Sequence, residues 1–185
     1  MLLLNQTPLV AFEGKVITMN LDQVLSLLEE HKNPRGIDTW SKMQNTRGLT
    51  SYGIGLTVHR KLAKKIGRNR ALAAELWSLN NYDAKVLGLL IDEPKLITFE
   101  QAEQQVEQLK AGMLRHVFCS CDATLAKAPI AFELAQQWLM NEDDNRRACA
   151  FGLIYEFSKR KSKALTDEFF ISVIKDIETN FDNSP

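Results

Sequence analysis

The sequence predicts an all-α chain that folds as a stack of antiparallel helical hairpins. Apolar residues recur at helical spacing through nearly every segment, and no segment sustains the alternation of a half-buried strand. About ten helices joined by short loops also exceed what a four-helix bundle uses, which leaves a stack of hairpins. The length, 185 residues, suits one domain over 1–185, with residues 1–19 as an irregular N-terminal arm. Apolar residues make up 45% and charged residues 25%, a balance that excludes a disordered or collagenous chain. Val86–Ile91 is the longest solid apolar stretch, far short of the roughly 20 residues a membrane span needs. Met1–Leu4 lacks the basic start and cleavage site of a secretory signal. A cytoplasmic location is expected, with Cys119, Cys121 and Cys149 as thiols and no membrane partner.

The helices follow in order. Leu21, Val24, Leu25 and Leu28 form one face behind a capping box of Asn20 and Gln23, and Pro34 stops that helix. A second fits Ile37–Met43 and a third Leu56–Ile66, ended by Gly67. Ala71–Leu79 and Tyr82–Ile91 are the fourth and fifth, the latter closed by Pro94. Thr98 and Gln101 cap a long sixth helix to about Leu114, and a short seventh covers Ser120–Lys127. Pro129 suits the first turn of an eighth reaching Trp138. Asn141 with Asp144 caps a ninth to about Lys159, and Thr166 opens a last. Leu9–Phe12 and Lys15–Met19 are the only strand candidates, both weak. A faint echo supports repetition: Leu76, Trp77, Asn80, Asp83, Lys85, Gly88, Leu89 and Leu90 return as Gln137, Trp138, Asn141, Asp144, Arg146, Gly152, Leu153 and Ile154, with a three-residue slip before the glycine.

Charge is neutral in sum and polarised in detail. Lys and Arg number 23, as do Asp and Glu, which argues against indiscriminate nucleic-acid binding. Yet Arg60, Lys61, Lys64, Lys65, Arg68 and Arg70 form one basic segment, Lys159, Arg160, Lys161 and Lys163 another, and Arg146 and Arg147 a pair. Such runs are compatible with solvated helix faces as well as with binding. His116, Phe118, Cys119, Cys121 and Asp122 make the densest group of chemistry-bearing side chains, but their spacing is not that of a zinc site, and as a nucleophilic cysteine site the group lacks an evident base, since His31 and His59 lie far off in sequence. Asp122, in the first turn of the short helix, is also explained by the positive helix end. Arg147 flanks the apolar stripe Ala150, Leu153, Ile154 and Phe157, where a guanidinium needs a partner: a carboxylate such as Asp122 or Asp144, or a phosphate.

From Tyr52 to about Ile177 the chain resembles the AlkD-like DNA alkylation repair family. The residues that carry the likeness are Tyr52-Gly53-Ile54-Gly55, Arg60-Lys61-Leu62-Ala63-Lys64, Leu76-Trp77-Ser78, Tyr82-Asp83-Ala84-Lys85, Ile91-Asp92-Glu93-Pro94, Cys121-Asp122 and Arg146-Arg147-Ala148, in the family's order. The resemblance implies a right-handed solenoid of HEAT-like or armadillo-like helix pairs whose concave face follows duplex DNA. It implies a monofunctional glycosylase that removes N3- or N7-alkylated purines without metal or cofactor, acting as a monomer on double-stranded DNA. Asp122 would be the catalytic carboxylate that steadies the oxocarbenium-like sugar. Phe118 and Arg147 would contact the lesion, and Arg60, Lys61, Lys64, Arg146, Lys159 and Arg160 the DNA backbone. Phe118 stands where the family usually has tryptophan, and Ile177 or its neighbours where active members place a second. Two other functions are therefore weighed: a non-catalytic binder of distorted or branched DNA, and a helical-repeat protein-binding adaptor.

Overall fold

The computed structural model describes residues 19–160 and 166–179. Most of the expected N-terminal arm, the weak strand candidates except Met19, and Lys161 and Lys163 lie outside the described residues. Among the described residues ten α-helices follow one another: α1 Leu21–Glu30, α2 Pro34–Ser41, α3 Leu56–Ile66, α4 Arg70–Ser78, α5 Tyr82–Ile91, α6 Phe99–Val106, α7 Leu114–Cys119, α8 Ala131–Leu139, α9 Asp144–Ser158 and α10 Asp167–Thr179. Single 3-10 turns stand at Pro94–Leu96 and Leu125–Lys127. Among the described residues no strand forms, and Thr50 and Asn81 make one isolated bridge. None of these helices is long and apolar enough to cross a membrane.

The helices form a stack in which α3, α5, α7 and α9 pack side by side in one row, with α4 against α5 and α8 against α9 on the other side. The sequence makes α5 the shared element. Ala84, Leu87 and Ile91 enter an N-terminal core with Val24, Leu28, Leu62 and Leu76, whereas Val86 and Leu89 enter a C-terminal core with Leu114, Phe118, Trp138 and Leu153. A helix apolar on both faces cannot be a surface helix; it has to be covered on both sides, and stacking supplies the covers.

Side-chain chemistry places the helix ends. Asn20 and Gln23 make the expected capping box on α1. Pro34 does more than stop α1: it opens α2 in the first turn, with Asn33 accepting from the N–H groups of Arg35 and Gly36. Thr98 caps α6, while the side chain of Gln101 turns away to donate to Asp92. Asp143, not Asn141, caps α9; the Asn141 side chain accepts from the Asp143 N–H instead.

Two helices depart from expectation. The sixth ends at Val106 rather than near Leu114; beyond it Gln108 and Leu109 donate to the carbonyls three residues back, and Gly112 takes φ +50, where its missing Cβ admits the tilted rings of Trp40 and Tyr82, each with an atom 2.9 Å from where the Cβ would be. The helix expected over Ser120–Lys127 lies one element earlier, at Leu114–Cys119. Beyond it, the Ser120 hydroxyl reaches back to the His116 carbonyl and Asp122 adopts a left-handed φ of +53, so the chain turns.

The echo between the two halves also has a limit. Gly88 lets α5 approach α4, where a Cβ would lie 2.9 Å from the Ala73 carbonyl oxygen. Gly152 lets α9 approach α7, where a Cβ would meet the Cys119 sulfur. Three residues rotate a helix face by about 300°, so the slip redirects the small residue from one neighbour to another.

Asp83 is the main buried anchor. Its carboxylate is fully buried and accepts from the Ser51 hydroxyl at 2.7 Å, the Tyr52 N–H at 2.7 Å and the Ile54 N–H at 3.1 Å, with Nε2 of buried His59 3.0 Å away. Burial alone pushes the Asp83 carboxyl up, but His59, Ser51 and Tyr52 together outweigh it and hold the group below the ordinary carboxylate range.

Two outcomes are expected. Asp83→Asn should destabilise the fold by about 2–4 kcal/mol in a chemical-denaturation series at neutral pH. Because the folded carboxyl is depressed, its contribution is fully present above the unfolded value and is lost as pH falls through the lower folded value. The acid slope of stability should therefore be shallower in Asp83→Asn than in the wild type. Gly152→Ala should cost on the order of 1–3 kcal/mol by overpacking. In combination with Cys119→Ala, the two losses should add to less than their sum in thermal unfolding.

Candidate nucleic-acid interface

The C-terminal ends of α3 and α5, the turn after α7 and the C-terminal turn of α9 meet at one edge of the row. The first three enclose a cleft of about 320 Å³, and the α9 turn borders it. Arg60 and Lys64 line it from successive turns of α3, Gly67 and Arg68 from the residues just after that helix, Leu90 from α5, and Cys121, Asp122, Thr124 and Lys127 from the α7–α8 connection. Arg160 adjoins it through a bond to the same connection, and Lys159 through Glu156 of α9, which accepts the Asp122 N–H. Nη1 of Arg160 donates to the Ala126 carbonyl at 2.6 Å.

Asp122 stands at the mouth of this cleft with its side chain 73% exposed, and Nη2 of Arg60 is 3.6 Å from its carboxylate. An ion pair this exposed is weak, so either partner is free to engage a ligand. The same guanidinium donates to the Cys121 sulfur at 2.5 Å. Beneath Asp122 lies Glu156, whose side chain is only 2% exposed. Its Oε1 accepts the Asp122 main-chain N–H at 3.3 Å and the Lys159 ammonium at 2.5 Å. Glu156 thus ties the left-handed residue to α9 and uses Lys159 as its counterion. The Glu156 hydrogen bond, followed by its charge, holds the Lys159 ammonium above its ordinary range.

Positive charge is concentrated here. Nη1 of Arg68 reaches the Leu90 and Asp92 carbonyls at 2.7 and 2.9 Å, which satisfies the C-terminal end of α5. Burial, and then the charges of Arg68 and Arg160, pull the Lys127 ammonium below the ordinary lysine range. A cation crowded by cations marks a place where an anion would relieve the repulsion. Lys127 escaped the sequence reading because it stands alone between alanines, with no charge run to flag it. Glu156 escaped because nothing local distinguishes a carboxylate one residue from the apolar stripe of α9.

The residues expected at the site do not all gather there. Arg60, Lys64 and Asp122 line the cleft, and Lys159 and Arg160 border it. Lys61 is exposed but sits about 100° round α3 from Arg60, outside the lining. Phe118 is a core residue: 2% exposed and packed against Trp138 with ring centres 6.1 Å apart, it offers no face to a nucleotide. Its helix turns the residue four positions before Asp122 inward, because α7 is buried between α5 and α9. Arg147 pairs with Asp144 at 4.0 Å on its own helix, so of the two carboxylates considered for it Asp144 is the partner. It precedes Glu156 by nine residues, which places it about 13 Å along α9 and on the opposite side. Arg146 is also committed elsewhere. Its side chain, 17% exposed, is held by Glu103 at 2.7 Å, Glu107 at 2.6 Å and Asp143 at 3.4 Å. Burial opposes that charge, but the bonds to Glu103 and Glu107 outweigh it and raise the guanidinium above its ordinary range. Arg146 therefore ties α9 to α6 and to the residue that follows α6, away from the cleft.

The family model for DNA alkylation repair enzymes matches residues 24–183. The chain belongs to that family. Among curated relatives, this member is 26% identical over 140 residues to the uncharacterized protein Lin0241 of Listeria innocua, covering 75% of this chain and 62% of that one. It is 25% identical over 150 residues to the uncharacterized protein Lmo0209 of Listeria monocytogenes, covering 80% and 66% respectively. The matches thus span about two thirds of the length of these relatives. A solved structure superposes with a TM-score of 0.78 at 21% identity, over 90% of this chain and 70% of its own. It is described as a new family of proteins related to the HEAT-like repeat DNA glycosylases, with affinity for branched DNA structures. The all-α helical stack of this family member is therefore the HEAT-like repeat fold.

Glu156→Gln keeps the shape of the side chain and removes its charge. Because Lys159 then loses its counterion and the Asp122 N–H a charged acceptor, the variant should unfold at lower temperature, by about 2–4 kcal/mol of lost stability. Amide exchange at Asp122 should accelerate in the same variant.

Proposed function

We propose that this protein binds DNA through the cleft at the C-terminal edge of the helix row, and that it recognises distorted or branched DNA without excising bases. The observation that carries this reading is the convergence of Arg60, Lys64, Arg68, Lys127, Lys159 and Arg160, drawn from three separated segments, on one open edge. Phosphates are the ligands that such a set accepts, and neutralising them releases counterions. Among the described residues no aromatic side chain lines the cleft wall, and Phe118 is withdrawn into the core. A lesion platform of the kind the family resemblance implied is thus missing from the expected position. The related structure with affinity for branched DNA supports the same reading.

A second reading, excision of N3- or N7-alkylated purines, is favoured by one observation: the Asp122 carboxylate is exposed within a positively bordered cleft. A carboxylate so placed is able to stabilise positive charge developing on a sugar when a cationic base departs.

Fluorescence anisotropy with labelled duplex and junction DNA tests the first reading. Binding should weaken steeply with salt, and Lys64→Glu and Lys127→Glu should each lower the log–log salt slope by about one unit or more. Affinity indifferent to salt and to both reversals would overturn it. Incubation with methylated duplex separates the two readings. Free methylpurine released above the thermal background, and lost in Asp122→Asn, would establish excision; no release leaves binding as the activity. Asparagine is the suitable replacement because it tolerates the left-handed backbone that alanine resists.

A further inference from the structure

Tyr155 is the exposed aromatic side chain beside this cleft. It lies on α9 immediately before Glu156 and is 57% exposed, while its neighbours Ile154, Glu156 and Phe157 are buried. The Lys159 ammonium stands 4.7 Å over its ring centre. The same ammonium bonds Glu156, and Glu156 accepts the Asp122 N–H. Three direct contacts therefore lead from the ring to Asp122.

We infer that Tyr155, with Lys159 over one face of its ring, offers the other face as a stacking platform for an unpaired nucleobase at the rim of the Asp122 cleft. The inference rests on the DNA-binding reading and gives that reading a specificity. Among the described residues the apolar stripe by which α9 faces its neighbours is formed by Ala150, Leu153, Ile154 and Phe157, and Tyr155 stands outside it. A base has a π face for the ring, and the nucleotide that carries it has a phosphate for Lys159. A paired base inside an intact duplex keeps its faces covered by its neighbours; a base at a bulge, gap or branch point does not. Tyr155 would therefore reward DNA with an unstacked nucleotide over continuous duplex, whereas the cations of the cleft attract both alike.

The test compares wild type, Tyr155→Ala and Tyr155→Phe on a duplex and on the same duplex carrying a single-nucleotide bulge, with 2-aminopurine as the bulged base. Wild type is expected to prefer the bulged DNA by roughly tenfold and to change the 2-aminopurine fluorescence on binding. Tyr155→Phe should keep both properties. Tyr155→Ala should bring the bulged DNA down to the affinity of the duplex and leave the probe's fluorescence as in free DNA. Equal wild-type affinity for the two DNAs, or a preference that survives in Tyr155→Ala, overturns the platform while leaving the cleft as a DNA site. Wild-type binding to neither DNA overturns the cleft reading itself. Because Tyr155 is exposed, thermal unfolding of the alanine variant should match wild type, and a large loss there would mean that the ring serves packing.

Discussion

The buried carboxylate of Asp83 is the constraint on which the arrangement depends. It sits at the start of α5, the helix shared by both cores, and it draws Ser51, Tyr52 and Ile54 of the preceding loop and His59 of α3 onto one point. A charge removed from water has to be matched by donors of good geometry, so this cluster admits little variation in where α3 begins. With the start of α3 fixed, Arg60 and Lys64 are carried to the rim where Asp122 arrives from α7. The position of the cations is thus inherited from an acid buried out of solvent's reach.

Close approaches complete the frame. Where α2 meets the loop around Gly53, a Cβ on Gly36 would run into the Gly53 backbone, so the two glycines permit main chain to lie on main chain. The Asn33 N–H donates to the Tyr52 carbonyl across the same contact at 2.9 Å. Gly112 and Gly152 serve the later part of the stack by admitting side chains instead, Trp40 and Tyr82 at the first and Cys119 at the second. The hairpins are held as much by what these positions omit as by what the apolar stripes supply.

Much of the fold was legible because helical periodicity, capping side chains and prolines are local signals. The Asn20 box, the Thr98 cap and the limits of α3 and α5 follow from residues within a few positions of each other. The turn after α6 was not legible, because Gly112 there meets Trp40 and Tyr82, residues remote in sequence. The site shows the same division. Arg60, Lys64 and Asp122 could be singled out from charge runs and family motifs. The roles of Arg146 and Phe118 could not: the first depends on Glu103 and Glu107 reaching it across the stack, and the second on which face of a six-residue helix turns inward. Lys127 and Glu156 carry no local mark at all, since their importance comes only from which other charges surround them.

The chemistry of the cleft edge has an origin in helix stability. Basic residues at the last turn of a helix offset the partial negative charge of its unpaired carbonyls, and Lys64, Arg68, Lys159 and Arg160 occupy such places at or just beyond helix ends. When helices are stacked with these ends aligned, contributions that are each modest for the individual helix accumulate into a single electropositive border. A charged border can therefore arise here as a by-product of ordinary end-stabilisation.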